Sequence, residues 1–92
     1  MTLERMAACG ELIKTLNEQS EILRRLRDVI VVSLEDDIRI EELQELYRES
    51  VGRMLQSVRL QLVLSGVVGS EIVTEKARAL VSQAEAVYRL VA

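Results

Sequence analysis

Few residues in this chain have the types and spacing that chemistry requires. Cys9 is the single thiol. It falls in a run of apolar residues recurring three and four apart, so it reads as a small buried hydrophobe rather than a nucleophile. One cysteine allows no internal disulfide, and nothing points to an oxidising compartment. Histidine is absent. That removes the commonest general base, nucleophile activator and metal ligand together. A Glu-x-x-His di-metal site cannot be written, and zinc would need several cysteines or histidines. No cofactor, metal or catalytic residue is therefore expected.

The remaining candidates are charged or glycine-containing. Gly66-Val67-Val68-Gly69 has neither a following lysine nor the GxGxxG spacing that cradles a phosphate, and reads as an interhelical turn. Arg24, Arg25 and Arg27 form the densest basic cluster and could meet phosphate. Glu21 and Asp28 flank them, however, and no aromatic residue is near to stack on a base. A nucleic-acid regulator using these arginines is thus a lesser alternative to a solvated helix face. Another alternative is a small all-helical enzyme with an Arg- and Glu-lined anion site between subunits.

Charge supports neither strongly. The 92 residues carry 12 bases and 15 acids, a net charge of −3, which supplies no field to draw the chain to DNA or RNA. The deficit lies in the middle third, through Glu35, Asp36, Asp37, Glu41, Glu42, Glu45 and Glu49. A solvated face explains it; docking of a basic partner or a weak divalent ion are the other readings. The opening Met1 to Arg5 meets an acid and a base before any apolar run, unlike a secretion signal. The longest uncharged run, Leu60 to Ser70, has eleven residues, against about 20 for a membrane helix. A cytoplasmic protein that does not enter a membrane is the expectation.

What must hold these residues is helical. The chain is 49% hydrophobic and 29% charged, with no proline and only two aromatics, Tyr47 and Tyr88. That is the material of long helices and not of disorder or sheet. From a Thr2 N-cap to about residue 32, Cys9, Leu12, Leu16, Leu23, Leu26 and Ile30 mark a heptad seam interrupted by Gln19. Ile13, Ile22 and Val29 are expected to widen that face.

A second stripe, Ile40, Leu43, Tyr47, Val51, Met54, Val58 and Leu62, steps nearer eleven residues per three turns, as in a straight helix. The change of phase between the stripes predicts a turn, with Ser33 and Asp36 as capping residues. Without Pro or Gly there, one continuous helix of about 60 residues is the alternative. Gly66 is expected to close the second helix in a left-handed conformation, and Ser70 to start the third. Val73, Ala77, Leu80, Ala84, Val87 and Val91 form its seam.

These readings predict a single all-α domain over residues 1–92, with helices at about 2–32, 36–65 and 70–91. Two long helices form an antiparallel hairpin and a shorter third packs on them. The seams leave apolar residues over. Leu46, Leu60, Val63, Leu64, Val67 and Val68 fall away from the second stripe, around the second turn. Such a surplus usually means an interface. The expected function is a non-catalytic interaction module: a self-assembling, adaptor or small chaperone-like acidic subunit. Its partner would be itself or another helical protein, with no small-molecule substrate. Gln19, a polar residue in a leucine seam, either sets register and oligomer state or turns to solvent.

Overall fold

A computed structural model describes residues 2–35 and 41–92. The protein is all-α: three helices pack together, α1 (Leu3–Glu35), α2 (Glu41–Val68) and α3 (Glu71–Val91), with no strand among the described residues. The assembly is a rod of 52 × 17 × 16 Å. Its length is that of α1, since 33 helical residues rise about 50 Å.

Each start has a local cause. Arg5 donates its backbone N–H to Thr2 Oγ1 at 3.2 Å, so Thr2 satisfies one orphan donor at the head of α1. Ser70, in extended conformation, accepts from the Val73 N–H and caps α3. At the far end of α3, Arg48 of α2 donates Nε to the Val91 carbonyl at 3.0 Å, placing a cation on the negative helix terminus.

Two boundaries differ from the sequence expectation. Ser33 lies inside α1 and returns its hydroxyl to the Val29 carbonyl at 2.9 Å, instead of capping the next helix. The β-branched run Val29 to Val32 is helical to Glu35. The expected Asp36 cap and the Ile40 seam position lie outside the described residues. At the second turn, Gly66 does not end α2. The helix runs through it to Val68, and Gly69, with φ of 77°, is the residue that takes the left-handed region. Val67 and Val68 are therefore the last helical residues of α2 and not a loop.

Cross-helix hydrogen bonds fix how the rods lie. Gln19 faces Ser57 of α2, so α1 and α2 run side by side and not end to end. Ser20, the next residue, faces Gln83 of α3. The core between them is one cluster. Cys9, Leu16, Leu23 and Ile30 come from α1 at seven-residue steps, Val51, Leu55 and Val58 from α2, and all six expected seam residues from α3. Leu12, Leu26, Tyr47, Met54 and Leu62 are half-buried against it. Ala77 and Ala84 are fully buried, and their small side chains allow α3 to approach closely. It packs most extensively on α2, next on α1, while α1 and α2 touch least.

Candidate interaction surface

A helix of a three-helix bundle needs one apolar face, and α2 has two. Val51, Leu55, Val58 and Ser65 point inward. Leu60, Val63, Leu64 and Val67 occupy an i, i+3, i+4, i+7 pattern, a complete second stripe. At about 100° per residue it points away from the core. Exposure runs from 46% at Leu64 to 75% at Val67. Leu46, at 57%, lies on the same side five turns earlier. The final helix does not cover this stripe. Val68 departs from the expectation: it is half-buried and packs against the core, because the extra helical turn rotates it inward.

The surface extends beyond α2. Ile22 and Val29, expected to broaden the core face of α1, are 49% and 50% exposed. Leu3, Met6 and Ile72 are exposed near the end where α2 meets α3. Val32 and Leu34 are exposed at the other end of α1. Exposed apolar side chains in such number are uncommon on a protein that works alone.

Between helices, each seam carries a polar device, and they differ in completeness. On the α1–α3 seam, Ser20 Oγ donates to Gln83 Oε1 at 2.8 Å, and Gln83 Nε2 donates to the Ser20 carbonyl at 2.9 Å. On the α2–α3 seam, buried Ser65 donates to the Leu62 carbonyl at 2.6 Å and lies 3.2 Å from the Thr74 hydroxyl, whose proton also has the Ser70 carbonyl at 2.9 Å. On the α1–α2 seam, Gln19 and Gln61 both direct Nε2 at Ser57 Oγ, each at 3.5 Å. Their Oε1 atoms are buried without a partner. Gln19 thus turns neither to solvent nor into a well-made bond. Leaving such an acceptor unpaired costs about 1–3 kcal/mol, and it does so where the helices touch least.

The arginine cluster is partly neutralised by its neighbours, while on α2 Glu45 pairs with Arg48 beside Glu41, Glu42 and Glu49. Glu21 pairs with Arg24 and, at 3.3 Å, with Arg25, while Arg27 lies 3.5 Å from Asp28. The Arg24 hydrogen bond holds the Glu21 carboxyl below the usual carboxylate range, and the same bond raises the Arg24 guanidinium. All these groups are exposed, so each pair adds little to stability. Each of these arginines meets an acid through a single nitrogen, Arg25 through Nε alone, so their remaining N–H groups face solvent. A shallow groove between α2 and α3 is lined by Gln56, Arg59, Glu85, Tyr88 and Arg89. Its Arg59 and Glu85 are 3.6 Å apart. Among the described residues no three His, Cys, Asp or Glu gather as metal ligands, and no helix is long and apolar enough to cross a membrane. Cys9 is buried.

Comparison with known protein families, curated proteins and solved structures gave no match. The functional reading therefore rests on this surface. Sequence reasoning missed Leu55 and Ser65 as core, and missed Ser20–Gln83 entirely. Ser65 and Thr74 are nine apart across a turn, and Ser20 and Gln83 are 63 apart, so no local pattern marks them.

Proposed function

We propose that this protein is a non-catalytic helical interaction module that binds a helical partner through the outer face of α2. The observation that carries the reading is the second stripe, Leu60, Val63, Leu64 and Val67, on a helix whose first stripe already fills the core. Full burial of an exposed Leu or Val is worth about 1.5–3 kcal/mol. At the exposures found, the four side chains together offer roughly 4–7 kcal/mol. A matching apolar surface on the partner offers a similar sum. Association itself costs about 4–15 kcal/mol in lost freedom, comparable to that sum, so a weak and reversible contact is expected. The module would work as a reversible adaptor or assembly subunit.

The test combines Leu60→Asp with Leu64→Asp. Far-UV circular dichroism and the urea midpoint should stay near wild type, because neither side chain enters the core. Binding of an apolar fluorescent dye, strong for the wild type, should fall several-fold. Wild-type protein that binds no dye would overturn the reading, and so would a double variant that loses helicity together with dye binding.

A further inference from the structure

Of the three lateral faces of the rod, the one between α1 and α2 is unfinished. Gln19 points toward α2 and Ser20 toward α3. Helical geometry then sets Ile22 and Val29 on the outward edge of the α2 side of α1. On α2, Ser57 and Gln61 point toward α1 and Arg59 toward Glu85 of α3. By the same geometry Leu46, Leu60 and Leu64 lie outward on the α1 side. All five are among the exposed large apolar residues. They flank the least closely packed seam, which also holds two unpaired amide oxygens.

We propose that a second copy of this chain packs antiparallel on the α1–α2 face, with the two-fold axis crossing near Ile22. The two α1–α2 pairs would then form a four-helix core flanked by the two α3 helices. The inference rests on the interaction-module reading and names its partner.

Register, charge and area select this occupant. The Gln19–Ser57 contact puts Ile22 level with Met54 on the neighbouring rod. A two-fold axis at that level sets Ile22 against itself, Val29 against Thr15 of the copy, and Leu46 between Leu60 and Leu64 of the copy. Every large apolar residue of the face finds a small or apolar neighbour. Charge favours the antiparallel copy. Glu4, Glu11 and Glu18 share this side of α1 at seven-residue steps, with Arg25 the next step. The antiparallel pair sets Glu18 against Arg25 of the copy, twice by symmetry, and like charges directly opposed are what specific interfaces avoid. A face 52 Å long and 17 Å wide also offers about the 800 Å² per partner of a standard interface.

Sedimentation equilibrium of the full chain up to about 100 μM should show a reversible dimer. Glu18→Arg alone and Arg25→Glu alone should each weaken it about tenfold, because each opposes like charges twice. Mixed in equal amounts, the two variants should associate as the wild type does, since the heterodimer restores both pairs. In a Cys9→Ala background checked for helicity, Ile22→Cys should form a disulfide-linked dimer on mild oxidation. Val29→Cys should do so only when mixed with Thr15→Cys. A monomer throughout this range would overturn the second-copy inference, as would mixed charge variants that fail to associate, or Val29→Cys that self-links as fast as Ile22→Cys. Leu60 and Leu64 lie in this same contact, so the dye-binding test of the interaction module is read at dilutions where sedimentation shows monomer; strong dye binding there with no dimer up to about 100 μM would overturn the second copy and leave the module reading standing.

Discussion

Replacing Gln19 by leucine should stabilise this protein, against the usual direction of core substitutions. The wild-type side chain sits half-buried in a leucine seam, with Oε1 buried and unpaired and Nε2 at the 3.5 Å limit from Ser57. The change relieves the unpaired acceptor, worth about 1–3 kcal/mol. It adds burial of roughly one methylene equivalent, near 0.8 kcal/mol. Against this stands a long hydrogen bond, worth at most about 0.5 kcal/mol. Ser57 keeps Gln61 as a donor, so no new orphan hydroxyl is created. The net is about 1–3 kcal/mol of added stability. For a domain of this size each kcal/mol moves Tm by about 4–8 °C, so the melting temperature should rise by at least 4 °C. Urea unfolding followed at 222 nm gives the same quantity from the midpoint, provided the slope is unchanged. A Gln19→Leu protein less stable than wild type by 1 kcal/mol or more would refute the reasoning. It would show that the Gln19–Ser57–Gln61 node is a strong network and that its geometry here understates it.

Other substitutions test the local accounts. Gly66 is helical and an added Cβ meets nothing within 4 Å, so Gly66→Ala should raise stability by about 0.5–1 kcal/mol by chemical unfolding. Gly69, three residues on, holds φ at 77°, so Gly69→Ala should lower it by about 1–2 kcal/mol in the same assay. If the two glycines respond alike, the placement of the helix end is wrong. Leu23 is fully buried at the middle of α1. Leu23→Asp places an unpaired charge in the core and should abolish the helical circular dichroism signal at 25 °C.

How much of this was legible beforehand depends on whether a feature is periodic or relational. The six buried residues of α3 follow from spacing alone, and so do the four fully heptad positions of α1, because a rod packed on two neighbours buries one stripe. The surplus leucines and valines of α2 are visible for the same reason. The end of α2 differs from the expectation because two glycines compete for one left-handed position. Nothing local says that Gly66 tolerates helix while Gly69 closes it. Val68 moved with that boundary, since two or three added residues swing the last side chain from the outer face to the core. Spacing places Ile22 and Val29 on the inward face because a wheel gives a face without saying how wide a neighbour will cover it. That width depends on how closely α2 approaches α1, a tertiary quantity.

The polar seam residues do what the apolar ones cannot. Cys9, Leu16, Leu23 and Ile30 recur every seven residues, so sliding α1 by one heptad against its neighbours would leave most apolar contacts nearly as good. Register in a periodic core is weakly determined by hydrophobicity alone. Ser20 and Gln83 remove the degeneracy. Moved by seven, Gln83 would face Ile13 or Arg27 instead of Ser20, losing both bonds at 2.8 and 2.9 Å and burying polar groups unpaired. At about 1–3 kcal/mol for each group left without a partner, that penalty is large beside the stability of a chain this small. Gln19 and Ser57 act in the same sense on α2, less strongly, because moving Gln19 by seven puts Leu12 or Leu26 in its place. The α1–α3 seam is therefore locked by satisfied bonds and the α1–α2 seam only biased by unsatisfied ones. The side of the molecule least determined by its own chain is also the side that displays the most uncovered leucine, valine and isoleucine.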